Sequence, residues 1–166
     1  YMGVIESMLD ALLCPTNAAR LLNLGIASGF VQGEYFGSHW SDGDCYKFFE
    51  GCCYLYHTTR DVRVKEVIDR YIPWIVGTQE EDGYINTKTR LQLIARWSHP
   101  RYLELYNHGH FFTMVAAHFE ATGERVLLDC ALRAVEYLEK TFSGYPPELA
   151  HFCNNPSQIM GLMDLY

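Results

Sequence analysis

The sequence holds no apolar run approaching the ~20 residues a helix needs to cross a bilayer. Nor does a basic stretch followed by an apolar one open the chain, so no signal peptide is visible, and the first residue is Tyr1 rather than methionine. Basic residues are scarce, 13 against 20 acidic ones, for a net charge of −7. Nucleic acid and anionic membranes reward clustered Lys and Arg, so neither is expected as a partner, while a neutral or cationic ligand is compatible. Disulfide spacing is missing too. Cys14, Cys45, Cys52, Cys53, Cys130 and Cys153 lie mostly in apolar helical surroundings. Cys52 and Cys53 are neighbours in a helical pattern and point about 100° apart, so they cannot both face one metal. They read as buried, reduced thiols of a cytoplasmic chain, with no metal expected in it. What the chain does have is a core. A hydrophobic fraction of 49% and an aromatic fraction of 14% exclude a disordered tail, and 166 residues fit a single domain spanning 1–166.

The stretch that organises the chain runs from Arg101 to Thr122, RYLELYNHGHFFTMVAAHFEAT. A polar cluster of Glu104, Tyr106, Asn107, His108 and His110 leads into a helix apolar on nearly every side, which is expected to be buried. Ionisable groups at the mouth of such a helix look out from a core, where a pocket can form. The plainer alternative makes Asn107 and His108 helix caps and His110 a hydrogen-bonded boundary residue.

Helical periodicity predicts further elements in order. Tyr1 to Leu13 forms a helix stopped by Pro15, and Thr16 or Asn17 caps the next one. Ser41 or Asp42 caps a helix from Asp44 to about His57, and Val62 to Val76 returns alongside it with a kink at Pro73. Asp82-Gly83 marks a turn before a short extended piece at Tyr84 to Asn86, and Lys88 to Pro100 reads as loop. Beyond Arg101–Thr122, a helix from Glu124 to Phe142 returns, and a last helix begins at Pro156 with Asn155 as its cap.

A shift of 63 residues superposes two of these helical pairs. Phe49 falls on Phe112, Tyr56 on Phe119, Thr59 on Thr122, Asp61 on Glu124, Arg70 on Arg133 and Ile72 on Val135. Such a period marks stacked helical hairpins, and the last helix resembles the start of a third unit whose apolar face awaits a cover. The expectation is an all-α fold, an arc of an α/α toroid with inner-helix ends around a central cavity. The cover would be the remainder of a larger helical array, of which this chain is the N-terminal portion, or a homo-oligomer partner.

Four blocks carry a family resemblance: SDGDCYKFFEG at 41–51, QEEDGYINT at 79–87, ELYNHGHFF at 104–112 and PSQIMGLMDLY at 156–166. In this order they resemble the β-L-arabinofuranosidase-type glycoside hydrolases (glycoside hydrolase family 127 and the domain-of-unknown-function 1680 group), over about residues 20–166. The resemblance implies the N-terminal part of an (α/α)6 catalytic domain that removes an L-arabinofuranose or related sugar with retention. It also implies a zinc-bound cysteine thiolate as nucleophile and a glutamate acid/base in the full-length enzyme, both expected outside this chain. Two positions depart from the family pattern. Leu103 stands where a histidine is common, and Asn155 where a Gly-His is common, with His151 close by.

Glycoside cleavage calls for carboxyl groups flanking the scissile bond, and loop–helix junctions offer Asp42, Asp44, Glu50, Asp82 and Glu104. Asp42 and Asp44 are most economically cap and first-turn residues, Glu50 and Lys47 a helical ion pair, and Asp82 a turn residue. Glu104 and His110 are the leading substrate-binding candidates, with Asp44, His108, Trp40 and His151 behind them; Trp40 and the less favoured Tyr84 and Trp97 offer rings for a sugar face. A sugar epimerase on the same toroid, or a non-catalytic helical binding scaffold, remains the alternative to a glycosidase.

Overall fold

A computed structural model describes residues 1–17, 19–152 and 155–166, so Cys153 lies outside the described residues. Among the described residues there are eight α-helices and no strand beyond one isolated antiparallel bridge, Gln79 to Ile85. The helices are α1 (Met2–Leu13), α2 (Arg20–Ala27), α3 (Ser41–Thr59), α4 (Val62–Thr78), α5 (Thr87–Arg90), α6 (Glu104–Thr122), α7 (Val126–Phe142) and α8 (Ser157–Leu165). The all-α expectation holds. The bridge occupies the piece expected to be extended, and the Asp82-Gly83 turn precedes it.

The repeat is visible at both ends of its first helix: α3 and α6 start and stop at positions 63 apart. Their C-terminal turns share one set of bonds. Thr59 Oγ1 donates to Leu55 O and Thr122 Oγ1 to His118 O, at 2.7 Å each. The next residue adopts the left-handed region, Arg60 at φ 55° and Gly123 at φ 73°, and its N–H returns to Tyr56 O or Phe119 O. The following acidic residue donates its own N–H back to the threonine hydroxyl. A hydroxyl and a left-handed cap together satisfy the carbonyls that a helix end leaves unpaired. Each unit is therefore a buried helix, a fixed turn and an amphipathic helix returning on its outside.

Helix α6 runs between α3 and α8, and the three lie parallel. Phe111, Phe112, Met114 and Val115 of α6 are at most 1% exposed, which explains a helix apolar on nearly every side. At the α6–α8 crossing, Gly109 and Gly161 bring the backbones together. A Cβ on Gly109 would stand 2.3 Å from Ser157 C, and one on Gly161 2.4 Å from Gly109 O. On α8, Ile159 (59% exposed) and Met163 (68% exposed) leave apolar surface open.

Several boundaries differ from expectation, each for a local reason. Ala19, not Thr16 or Asn17, precedes α2, in the left-handed region and without a side-chain cap. Trp40 takes the cap position of α3, because Ser41 and Asp42 are already helical and Asp42 bonds elsewhere. Pro73 lies inside α4, which continues through it to Thr78 and is capped by Asp61, whose side chain accepts from Arg63 N. Asn86 accepts from the N–H groups of Lys88 and Thr89 and nucleates α5, so part of the expected loop is one helical turn. Asn107 and His108 do not cap α6 but lie in its first turns, after a left-handed Leu103. Pro156 is the cap residue of α8 rather than its first helical one.

Candidate functional site

The polar residues at the N-terminal ends of α3 and α6 divide into two groups on opposite sides of α6. Residues 104 and 110 are six apart, so at about 100° per residue they point some 120° away from each other.

The first group lies on the partly open side. Asp44, in the first turn of α3, accepts from Arg20 Nε at 2.9 Å and from Lys47 Nζ at 3.4 Å. Lys47 Nζ also donates to the Tyr106 hydroxyl and lies 4.8 Å from the centre of that ring. Burial works against the Lys47 charge, but the bonds to Tyr106 and Asp44 outweigh it and hold the ammonium above its ordinary range. Tyr106 meets the half-buried His110 edge to face, with ring centres 4.6 Å apart. The His110 Nδ1 atom is enclosed and has no hydrogen-bond partner among the described residues. Burial, helped by the Lys47 charge and partly offset by Asp44, pushes the imidazole down to about 4, so it is neutral near pH 7.

The second group is enclosed. Glu104 is 2% exposed, and its carboxylate accepts from Trp97 N at 3.0 and 3.1 Å and from the Tyr84 hydroxyl. Burial raises its pKa, with the Tyr84 and Trp97 bonds opposing. His108 is fully buried, donates from Nδ1 to Glu104 O at 2.9 Å, and packs against Tyr84, Trp97 and Phe112. The Arg96 guanidinium lies over Tyr84, 4.2 Å from its ring centre, and pairs with Glu80 and Asp82. Glu104 and His108 thus brace the turn at Trp97 instead of joining His110.

Two further polar side chains tie the elements together. Asp42 is 2% exposed and accepts from Thr87 N at 2.9 Å and Thr87 Oγ1 at 2.7 Å, a link across 45 residues that replaces its expected capping role. Asn107 joins α3 to α6, accepting from Gly43 N at 2.9 Å and donating to His39 O at 2.7 Å. Glu50 does not pair with Lys47; it accepts from Thr113 Oγ1 at 3.0 Å. Trp40 is 43% exposed beside the first group, Trp97 is held through Nε1 on the Tyr137 hydroxyl, and His151 is exposed on the loop before α8.

The structure therefore brings Asp44 and His110 together and separates both from Glu104 and His108. Lys47, Tyr106 and Arg20 belong to the group but were not among the sequence candidates. Helical spacing carried the signal, because 44 and 47 share a face of α3, and 106 and 110 a face of α6.

Cys52 and Cys53 are buried, free and adjacent on α3, and burial pushes both thiols up to about 12. Among the described residues no three His, Cys, Asp or Glu side chains converge to hold a metal.

A family model described as "Beta-L-arabinofuranosidase, GH127 catalytic domain" matches residues 3–166. A curated non-reducing end β-L-arabinofuranosidase of Bifidobacterium longum subsp. longum is 25% identical over 160 residues, covering 93% of this chain and 24% of its own length. The crystal structure of a GH127 β-L-arabinofuranosidase from Geobacillus stearothermophilus T6 superposes with a TM-score of 0.84 at 27% identity, over 98% of this chain and 27% of that one. A GH127 β-arabinofuranosidase structure superposes with a TM-score of 0.64 at 28% identity, over 74% of this chain and 21% of that one. The chain spans about a quarter of the length of the curated relative it matches.

Proposed function

Because the chain belongs to the GH127 β-L-arabinofuranosidase family of glycoside hydrolases, we propose that it forms one wall of the sugar pocket in an enzyme that cleaves L-arabinofuranosides or a related glycoside. The observation that carries this reading is His110, half-buried beside Asp44, Lys47 and Tyr106 where α3 and α6 present their N-terminal ends side by side. A neutral imidazole and a carboxylate suit sugar hydroxyls, and Trp40 and His151 would touch the sugar from the rim. Glu104 and His108 support this wall from behind. The nucleophile and the acid/base belong to other parts of the domain, and so does any zinc. The same domain would cover the open apolar side of α8. Free buried thiols support a reducing, cytoplasmic setting.

The test is hydrolysis of a nitrophenyl arabinofuranoside panel by the full-length enzyme. Activity that falls about tenfold or more in His110→Ala, with an unchanged melting temperature, is expected. A folded full-length protein inert on a broad glycoside panel would overturn the reading. Sugar interconversion without bond cleavage, seen by NMR, would point to an epimerase instead.

A further inference from the structure

The pocket reading needs His110 to offer a defined hydrogen-bonding face, and its neighbours supply a reason for one face rather than the other. Its Nδ1 is shut away without a partner, so Nε2 is the nitrogen left to meet a ligand. A proton on Nδ1 would be a buried N–H with no acceptor, costing about 1–3 kcal/mol. With a lone pair there instead, the enclosed atom needs no acceptor, and the Lys47 ammonium works against protonation of the ring. That ammonium is fixed between Asp44 and the Tyr106 hydroxyl, and Tyr106 in turn fixes the imidazole edge to face. Among the described residues, the charged or titratable groups around His110 are Lys47 and Asp44 from α3 and Tyr106 from its own helix, while Arg20 of α2 acts through Asp44.

We propose that Lys47 is a positioning residue for His110, holding the imidazole through Tyr106 as a neutral Nε2–H tautomer that donates to an oxygen of an uncharged polyhydroxyl ligand. This rests on the sugar-pocket reading for its ligand, but not for its geometry. The role divides the work on the wall: His110 donates, Asp44 accepts, and Lys47 touches neither the ligand nor the reacting atoms. An imidazole kept in this state serves orientation rather than proton transfer, because it neither gains nor loses a proton near pH 7.

The experiment is long-range nitrogen–proton NMR on the protein with nitrogen-15-labelled histidine, followed over about pH 4 to 8. It needs no substrate, so it can fail while hydrolysis by the full-length enzyme succeeds, or succeed while hydrolysis fails. In the wild type, the His110 signals are expected to show a neutral Nε2–H ring down to about pH 5, with the titration midpoint near the low end of the range. In Lys47→Met the titration midpoint is expected to rise while staying below the ordinary ~6.5, because burial remains, and Lys47→Arg is expected to restore the wild-type curve. A wild-type Nδ1–H ring overturns the proposal without any variant. So does a midpoint that Lys47→Met leaves unmoved in a protein whose other histidine signals are unchanged.

Discussion

Acidification should weaken this fold at His108. The residue is fully buried, donates from Nδ1 to Glu104 O, and leaves Nε2 enclosed among the rings of Tyr84, Trp97 and Phe112 with no acceptor among the described residues. Protonation would place a charged N–H in that space with nothing to receive it. Burial first, with the Arg96 charge also contributing, therefore holds the ring's pKa down to about 4, against ~6.5 in the unfolded chain. Between these values the unfolded state binds the proton and the folded state does not, so stability falls as pH falls. From about pH 7.5 to about pH 5 the loss from His108 comes to about 2 kcal/mol, a sizeable part of the ~5–15 kcal/mol that holds an ordinary domain together. Urea unfolding of the wild type and His108→Phe at both pH values measures it. Phenylalanine suits the aromatic surroundings and forfeits about 1 kcal/mol of hydrogen bonding at every pH. His110 and His118, also shifted down by burial, contribute equally to both proteins and cancel in the difference. The variant should lose about 2 kcal/mol less than the wild type on acidification. Equal losses would show that the enclosed ring does not govern acid stability.

Asp42→Ala removes both acceptors of Thr87 and should cost about 1–3 kcal/mol for each donor it orphans, while Asp42→Asn keeps one acceptor and costs less. Thermal melts that put both variants at the wild-type value would refute the clamp. Gly109→Ala should destabilise by about 1–3 kcal/mol, because its Cβ meets the backbone of Ser157 and Gln158 at 2.3 and 2.5 Å, more than offsetting the ~1 kcal/mol gained in helix propensity. Gly51→Ala on α3 meets nothing within 4 Å and should instead stabilise by about 0.5–1 kcal/mol. Melting temperatures that move in the same direction for the two glycine variants would contradict the close α6–α8 crossing.

The helical architecture was legible because its signals are local. Threonine, a left-handed cap and an acidic residue at 59–61 and 122–124 mark the same turn twice, and the 63-residue shift then gives both ends of α3 and α6. The site was only partly legible, for two physical reasons. Helix α6 begins behind a left-handed Leu103 with no side-chain cap, so nothing marked Glu104 to His110 as already helical. Read as the polar mouth of the helix, Glu104 and His110 were both taken toward one pocket; six residues apart within the helix, they point some 120° away from each other. Asp42 escaped for a different reason. A carboxylate in a first turn is well explained by the helix dipole, and nothing near it in the sequence announces a partner at Thr87.

The repeat also shows how a polar site can arise on a scaffold built from one hairpin. Parallel neighbours related by a fixed shift pack in register, so position n of α3 faces position n + 63 of α6. Glu50 and Thr113 are such a pair and are hydrogen-bonded; Lys47 and His110 are another, and both contact Tyr106. Identical residues at these positions would place like charges side by side at each crossing, which costs energy. The turns at the far end retain one chemistry in both units, and their acidic residues each meet a base, Asp61 with Arg63 and Glu124 with Lys65. Divergence at the N-terminal ends instead lets facing positions bond to each other, as Thr113 does to Glu50. Complementary pairs such as ammonium beside neutral imidazole follow from the same geometry that gives the inner helices their common face.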